Sequence, residues 1–267
     1  MLHPLRRTRA AGIIVPRIRS TGKHAHPLGP TPVAAPDVDT RPRWAGSSSV
    51  TRVRLDLNIS LDGFATTTDQ TEENPFGEDW GRLTAAYVAT RTFRRRVLHD
   101  ESGAGTSGVD DAYAARYFEG IGAEIMGAGM FGLHLHGDDP EWRGWWEDEP
   151  PFEVPVFVLT HRERPTIEMA NGTVFHFVRD SPAAVLARAI EAAGGADVRI
   201  GGGARTARQF LRAGLVDDLH VGISPIILGD GIRLWDDLRG WEADYEATSE
   251  SAPDGVTHLT FRRISRP

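Results

Sequence analysis

Two stretches of this chain could hold an anion with backbone alone. Ile125-Met126-Gly127-Ala128-Gly129 and Arg199-Ile200-Gly201-Gly202-Gly203-Ala204-Arg205-Thr206 each run from apolar, strand-like residues through glycine into a helix. Glycine lets the main chain approach a phosphate closely and adopt positive φ, while the helix adds the partial positive charge of its first N–H groups. With Met130 extending the first junction, the pair could grip one pyrophosphate from both sides. Either junction alone is also an ordinary α/β turn. Neither fits G-x-G-x-x-G with a later acid, and neither carries Lys-Ser/Thr, so the common dinucleotide and ATPase motifs are not matched.

Acidic residues are the other chemistry-bearing group. Asp62 lies in Ser60-Leu61-Asp62-Gly63, a turn that ends an alternating strand. Open α/β sheets bind ligands at that edge, although a turn aspartate also bonds its own backbone. Asn58 and Ser60 share a side with Asp62, because alternate strand residues face the same way, and they are candidate substrate contacts. Asp110 and Asp111 occupy the first turn of a helix, where acids suit the positive end. His134 and His136 beside Asp138 and Asp139 lack any partner motif, so no metal is expected. No cysteine is present, and the serines lack a G-x-S-x-G context, which leaves thiol and acyl-transfer chemistry unsupported.

The elements that would position these groups can be read from periodicity. Val53, Leu55, Leu57 and Ile59 alternate with polar residues as a strand. Residues 80 to 99 form a rough helical stripe, and a glycine-rich loop leads to a helix from Asp110 to Phe118. Ala123 to Met126, Val154 to Leu159, Val174 to Val178 and Val198 to Ile200 read as strands. Ser181-Pro182 starts a helix running to Ala193, and Thr206 to Ala213 is another, closed by Gly214. Leu219 to Leu228 has strand character, and Tyr245 to Ser249 pairs with Val256 to Ile264 across the turn Pro253-Asp254-Gly255. Alternating strands and helices imply an α/β fold: an open, mostly parallel sheet with helices on both faces and a C-terminal antiparallel hairpin. Trp142, Trp145 and Trp146 belong to an ordered loop whose role is either packing or ligand stacking.

Residues 1 to 49 carry eight Lys or Arg, two Asp and seven prolines, ending in Gly46-Ser47-Ser48-Ser49. This basic, proline-rich extension is expected to be disordered, and residues 50 to 267 to form one domain. The net charge is −7 overall, so the body after residue 49 is strongly acidic. That disfavours a nucleic-acid surface. No apolar run approaches the roughly twenty residues of a membrane span, and a soluble, cytoplasmic protein is expected.

The order of motifs resembles the dihydrofolate reductase superfamily, in particular bacterial relatives of the reductase (RibD C-terminal) domain of riboflavin biosynthesis. Ser60-Leu61-Asp62-Gly63-Phe64-Ala65 ends the first strand, Met126-Gly127-Ala128-Gly129-Met130-Phe131 follows a later one, Gly201 to Gly203 comes next, and Pro225-Ile226-Ile227-Leu228-Gly229-Asp230-Gly231 closes the series. Ala128 stands where arginine is commoner. The resemblance implies a dihydrofolate reductase-like fold and NADPH bound by Gly127, Ala128, Gly129, Met130 and Gly201 to Thr206. Thr160, His161 and Arg162 would meet the 2′-phosphate, for which arginine and histidine are suited. It also implies hydride transfer to a small heterocyclic or carbonyl substrate, with Asp111, or its neighbour Asp110, as the carboxyl that assists protonation. A homodimer is common in the riboflavin branch. The alternatives are the 5-amino-6-(5-phosphoribosylamino)uracil reductase itself, disfavoured because Asp62, Asp110 and Asp111 are acidic where a ribose phosphate wants cations, and a non-catalytic nucleotide-binding relative.

Overall fold

A computed structural model describes residues 51–146 and 148–264; the extension over residues 1 to 49 lies outside the described residues. Chain order begins with β1 (Val53–Ser60), β2 (Phe64–Thr66), α1 (Trp80–Leu83), α2 (Ala85–Ala89), α3 (Arg91–Val97), α4 (Val109–Arg116) and β3 (Ile121–Gly127). It continues with α5 (Ala128–Phe131), α6 (Leu133–His136), β4 (Pro155–Leu159), β5 (Ile167–Glu168), β6 (Val174–Val178), α7 (Pro182–Ala193), β7 (Asp197–Gly202) and α8 (Ala204–Arg212). The last elements are β8 (Asp218–Ser224), β9 (Ile232–Arg233), a 3₁₀ turn (Trp241–Asp244), β10 (Tyr245–Ser251) and β11 (Thr257–Arg263).

Nine strands form one sheet in the order β10-β11-β8-β1-β7-β3-β4-β6-β5. The central strands β8, β1, β7, β3, β4 and β6 are parallel, and β11, β10 and β5 join antiparallel. The C-terminal ends of all six parallel strands therefore open on one edge, where open α/β sheets take ligands.

Strand alternation divides the sheet into two unlike faces. Leu55, Ile59, Ala123, Ile125, Val198, Ile200, Leu219 and Val221 join one apolar core with Val185, Leu186, Ala189 and Phe210 of α7 and α8. Burial of each such side chain stabilises by roughly 1.5–3 kcal/mol. The other face carries Arg54, Asp56, Glu124, Arg199, Asp218 and His220, all buried. Buried charges need partners, and α4 supplies a cover: Tyr113 stacks on His220 with centroids 4.3 Å apart, and Arg199 lies 4.8 Å from the Tyr117 ring centroid. A second apolar cluster of Met126, Phe131, Val156, Val158 and Phe175 sits under the tryptophan loop.

The helix from Pro182 follows its sequence signals: Ser181 accepts a bond from the Ala184 amide, and Gly194 ends it in the left-handed region at φ 58°. Three departures have physical causes. The stripe over residues 80 to 99 is three short helices, because Thr84 and Thr90 interrupt it; Thr90 is extended and its side chain accepts from the Phe93 amide at 3.1 Å. β8 stops at Ser224, since Pro225 cannot donate to a ladder. Two short strands, β2 and β9, form a separate small ribbon linking the first turn to the glycine loop after β8.

Candidate active site

The site begins at the ends of β3 and β7. Gly127 packs so closely on α8 that a Cβ there would overlap the Thr206 hydroxyl, and a Cβ on Gly201 would overlap the Glu124 carboxylate. These two glycines serve close packing. Gly202 takes φ +118°, where a side chain is strained, and the Gly202–Gly203 peptide is cis. Gly203 differs from its neighbours: a Cβ on it meets nothing within 4 Å. It precedes α8 without capping its N–H groups by a side chain. No side chain caps the first amides of α8, at Ala204, Arg205 and Thr206.

Beside this helix start lies a cleft of about 400 Å³, lined among others by Ala128, Thr160, His161, Arg162, Arg179 and Thr206. Strand ends β3, β4 and β6 and the helix α8 bring these residues together. Arg162 Nη1 lies 2.6 Å from Asp138 Oδ1, and the Arg162 amide donates to Thr160 Oγ1 at 3.1 Å. Arg179 has no ion pair among the described residues. Met130 is close to the glycine turn, its Sδ 3.8 Å from where a Gly202 Cβ would stand. Gly127, Gly129, Met130, Gly201 to Gly203, Ala204 and Arg205 are not part of the lining.

A second, much smaller pocket opens between the polar sheet face and α1, α2 and α4. Asn58, Leu83, Tyr87, Asp110, Tyr113 and His258 are among its walls, and its volume of about 10 Å³ holds roughly one water. Asp110 Oδ1 lies 3.0 Å from His258 Nε2. Asp111 points elsewhere: its Oδ1 accepts the Thr92 amide at 2.8 Å and ties α4 to α3. Asn58 is in the pocket, whereas Ser60 is fully buried and spent in the turn. Its hydroxyl donates to Asp62 at 2.6 Å and accepts from the Phe64 amide at 3.0 Å.

Asp62 is likewise engaged. Its carboxylate accepts the Leu228 and Gly229 amides at 3.1 and 2.7 Å, so the first turn clamps the loop after β8. Burial pushes this carboxyl up, and the bonds from Ser60, Gly229 and Leu228 together outweigh it and hold the group at about 2. Trp142 and Trp145 donate their indole N–H groups to the Phe131 and Met130 carbonyls, both at 2.9 Å, which seals the end of α5. His136 stacks on Trp142 with centroids 3.8 Å apart. Among the described residues no group of three His, Asp or Glu side chains is placed to hold a metal, and no helix is long and apolar enough to cross a membrane.

Sequence reasoning missed His220 and His258 on the polar face and Arg179, Asp180 and Gln209 on the cleft, and weighed His134, which also lines the cleft, only as a metal ligand. One signal for His220 was available: it interrupts the apolar alternation of Leu219 and Val221 in phase with Asp56, its cross-strand partner.

The sequence profile of the RibD C-terminal domain matches residues 51–248. Among solved structures, a protein from Shewanella sp. PV-4 assigned to riboflavin biosynthesis aligns over 80% of this chain and 100% of its own, with 21% identity and a TM-score of 0.51. RibD from Acinetobacter baumannii aligns over 82% of this chain and 59% of its own at 16% identity, with a TM-score of 0.46. Dihydrofolate reductase from Enterococcus faecalis aligns over 80% and 97% at 11% identity, with a TM-score of 0.43. The fold is dihydrofolate reductase-like, as the motif order implied. No curated protein sequence matched.

Proposed function

Because this chain belongs to the RibD C-terminal domain family, whose members include NADPH-dependent reductases, we propose that it is a reductase that binds NADPH in the cleft between β4 and α8. The substrate is a small heterocycle or carbonyl compound in the pocket beside Asp110. The observation that supports the reading is the cleft that sets Arg162, Arg179 and Thr206 beside an uncapped helix start, with Asp180 also in its wall, while the carboxyl-bearing pocket lies separately on the polar sheet face.

The donor set suits a dinucleotide. Arg162, Arg179, Thr160 and His161 can bond phosphate oxygens, and the free amides of α8 with Thr206 suit a pyrophosphate. When bound, NADPH would supply the hydride. The chain's own contribution is orientation, exclusion of water by Met130 and Leu57 near the glycine turn, and a proton from the Asp110–His258 pair. Asn58 and Asp110 would orient the ring. A ligand larger than a water requires Leu83, Ala86 and Tyr87 to move apart, so the segment joining α1 and α2 adjusts on binding. The pocket walls contain Asp110 and no Lys or Arg, which favours an uncharged ring over a ribose phosphate.

Fluorescence titration with NADPH and NADH tests the cofactor, and loss of 340 nm absorbance against pterins, quinones and carbonyls tests turnover. Binding of neither cofactor would overturn the reading. Tight NADPH binding with no turnover on any compound would favour the non-catalytic alternative.

A further inference from the structure

From Asp110 inward the polar face holds a line of four titratable groups that crosses four elements, α4, β11, β8 and β1. Asp110 Oδ1 lies 3.0 Å from His258 Nε2, and His258 Nδ1 lies 2.9 Å from His220 Nε2. His220 Nδ1 in turn faces Asp56 Oδ1 at 3.4 Å. The side chains of His220 and Asp56 are fully enclosed, and that of His258 is 5% exposed. Tyr113 stacks on both rings, with centroids 4.3 and 4.1 Å away, which fixes their planes.

Counting hydrogens decides what this line can be. Each of the three contacts joins two atoms that repel unless a hydrogen lies between them. The third, His220 Nδ1 to Asp56 Oδ1, is longer than the two hydrogen bonds, but neither of its enclosed atoms has another hydrogen-bond partner, so leaving it without a hydrogen is costly. Two neutral imidazoles bring two hydrogens. The third must be an extra proton, so the four groups together carry one negative charge rather than two.

We propose that Asp110, His258, His220 and Asp56 form one proton-sharing chain whose extra proton rests at the Asp110–His258 end, on the pocket wall. Asp56 fixes the polarity. Arg199 Nε lies 3.4 Å from its Oδ2, and Arg54 and Arg116 act on it from the same face, so it remains a carboxylate. His220 then keeps its hydrogen on Nδ1, toward Asp56, and offers the Nε2 lone pair to Nδ1–H of His258. His258 Nε2 and Asp110 are left to share the extra proton, with Glu250 and Asp254 as the other charges acting on His258. Burial lowers the proton affinity of His220 and, on balance, that of His258 too, against the raising effect of its bond to Asp110, so the extra proton is one that His258 shares with the Asp110 carboxyl rather than holds alone. A ligand's basic nitrogen or carbonyl oxygen in the pocket takes this proton as the ligand takes up hydride, and the pair regains one from water. Asp56, His220 and His258 are positioning residues behind Asp110.

The use of the proton rests on the reductase reading, but the chain of contacts does not. The full-length protein, labelled with ¹⁵N in its imidazoles, is followed by long-range ¹H–¹⁵N correlation from pH 4 to 9, with His220→Gln and His258→Gln giving the assignments. The expected result is a neutral His220 with its hydrogen on Nδ1, and a titration of His258 that Asp56→Asn, two groups away, lowers by about half a unit or more. A hydrogen on Nε2 of His220, or a His258 midpoint unmoved by Asp56→Asn, would overturn the proposal. The wild-type spectrum alone decides the first point should the Asp56 variant not fold. NADPH titration of the same sample separates the two readings: absence of cofactor binding removes the reductase function and leaves the tautomers standing, whereas binding with the wrong tautomer removes only the chain.

Discussion

The carboxylate of Asp62 accepts the Gly229 amide at 2.7 Å, across 167 positions of sequence. A motif aspartate at a sheet edge is thereby a clamp between two loops. Asp62→Asn should lower the melting temperature by a few degrees. The sign with pH follows from a carboxyl held at about 2 against an ordinary 3.8. Its stabilisation is present above 3.8 and disappears as pH falls toward 2, so wild type and variant should converge over that interval. Thermal melts at pH 2, 3, 4 and 7 check this, and a constant difference would contradict it.

Asp110 and Asp111 are adjacent in sequence and separate in role. Asp110→Asn should reduce turnover by about a hundredfold, the lower range for loss of a general acid, with NADPH affinity unchanged. Asp111→Asn should instead destabilise the α3–α4 contact and leave turnover per folded molecule alone. Stopped-flow rates set beside urea unfolding curves distinguish the two.

The glycines after β3 and β7 sort into two classes. Gly127→Ala and Gly201→Ala place a methyl into Thr206 and Glu124 and should cost about 1–3 kcal/mol in urea unfolding. Gly203→Ala meets open space at φ −77°, and should alter stability by no more than about 0.5 kcal/mol. If NADPH phosphate comes down on this turn, Gly203→Ala still weakens its binding.

Arg162→Ala should raise the NADPH dissociation constant about tenfold while leaving that of NADH within about twofold, as expected for a charge-assisted contact to one phosphate. Equal loss for both cofactors would place Arg162 away from the 2′-phosphate.

Two buried groups should oppose one another in the pH dependence of stability. Burial pushes His220 down to about 4 from 6.5 and Glu124 up to about 7 from 4.5. Between pH 4 and 6.5 the unfolded chain takes the His220 proton, so that group makes stability rise with pH. Between 4.5 and 7 the folded chain keeps the Glu124 proton, so that group makes it fall. Wild-type stability should be nearly flat from pH 4.5 to 6.5. Glu124→Gln should unmask a climb of up to about 1.4 kcal/mol per pH unit, read as urea midpoints at several pH values.

How much of this was legible in the residues varies with the range of the interaction. The alternation in β1 already implied an apolar face toward one helical layer and a polar face holding Asn58. The Ser181-Pro182 start and Gly194 stop of α7 are local chemistry and stand as read. The breaks at Thr84 and Thr90 depend on side-chain bonds that compete with helix only once the neighbouring loop, through Thr106, is in place. The His220–His258 contact spans 38 residues and exists only because β11 pairs with β8 and α4 lies over both. Asp62 was legible as a turn residue, but its partners after β8 were not, because they lie at the far end of the domain.

The sheet ends at β10, whose outward edge from Glu246 to Ser251 is wholly exposed. Nine strands leave such an edge able to recruit a tenth from another molecule, the usual route to fibrous self-association. Glu246 and Glu250 stand along it, and two antiparallel copies brought together there would set these like charges against each other. Edge-to-edge pairing through β10 is therefore opposed by like charge, which blunts the edge as a template for a further strand.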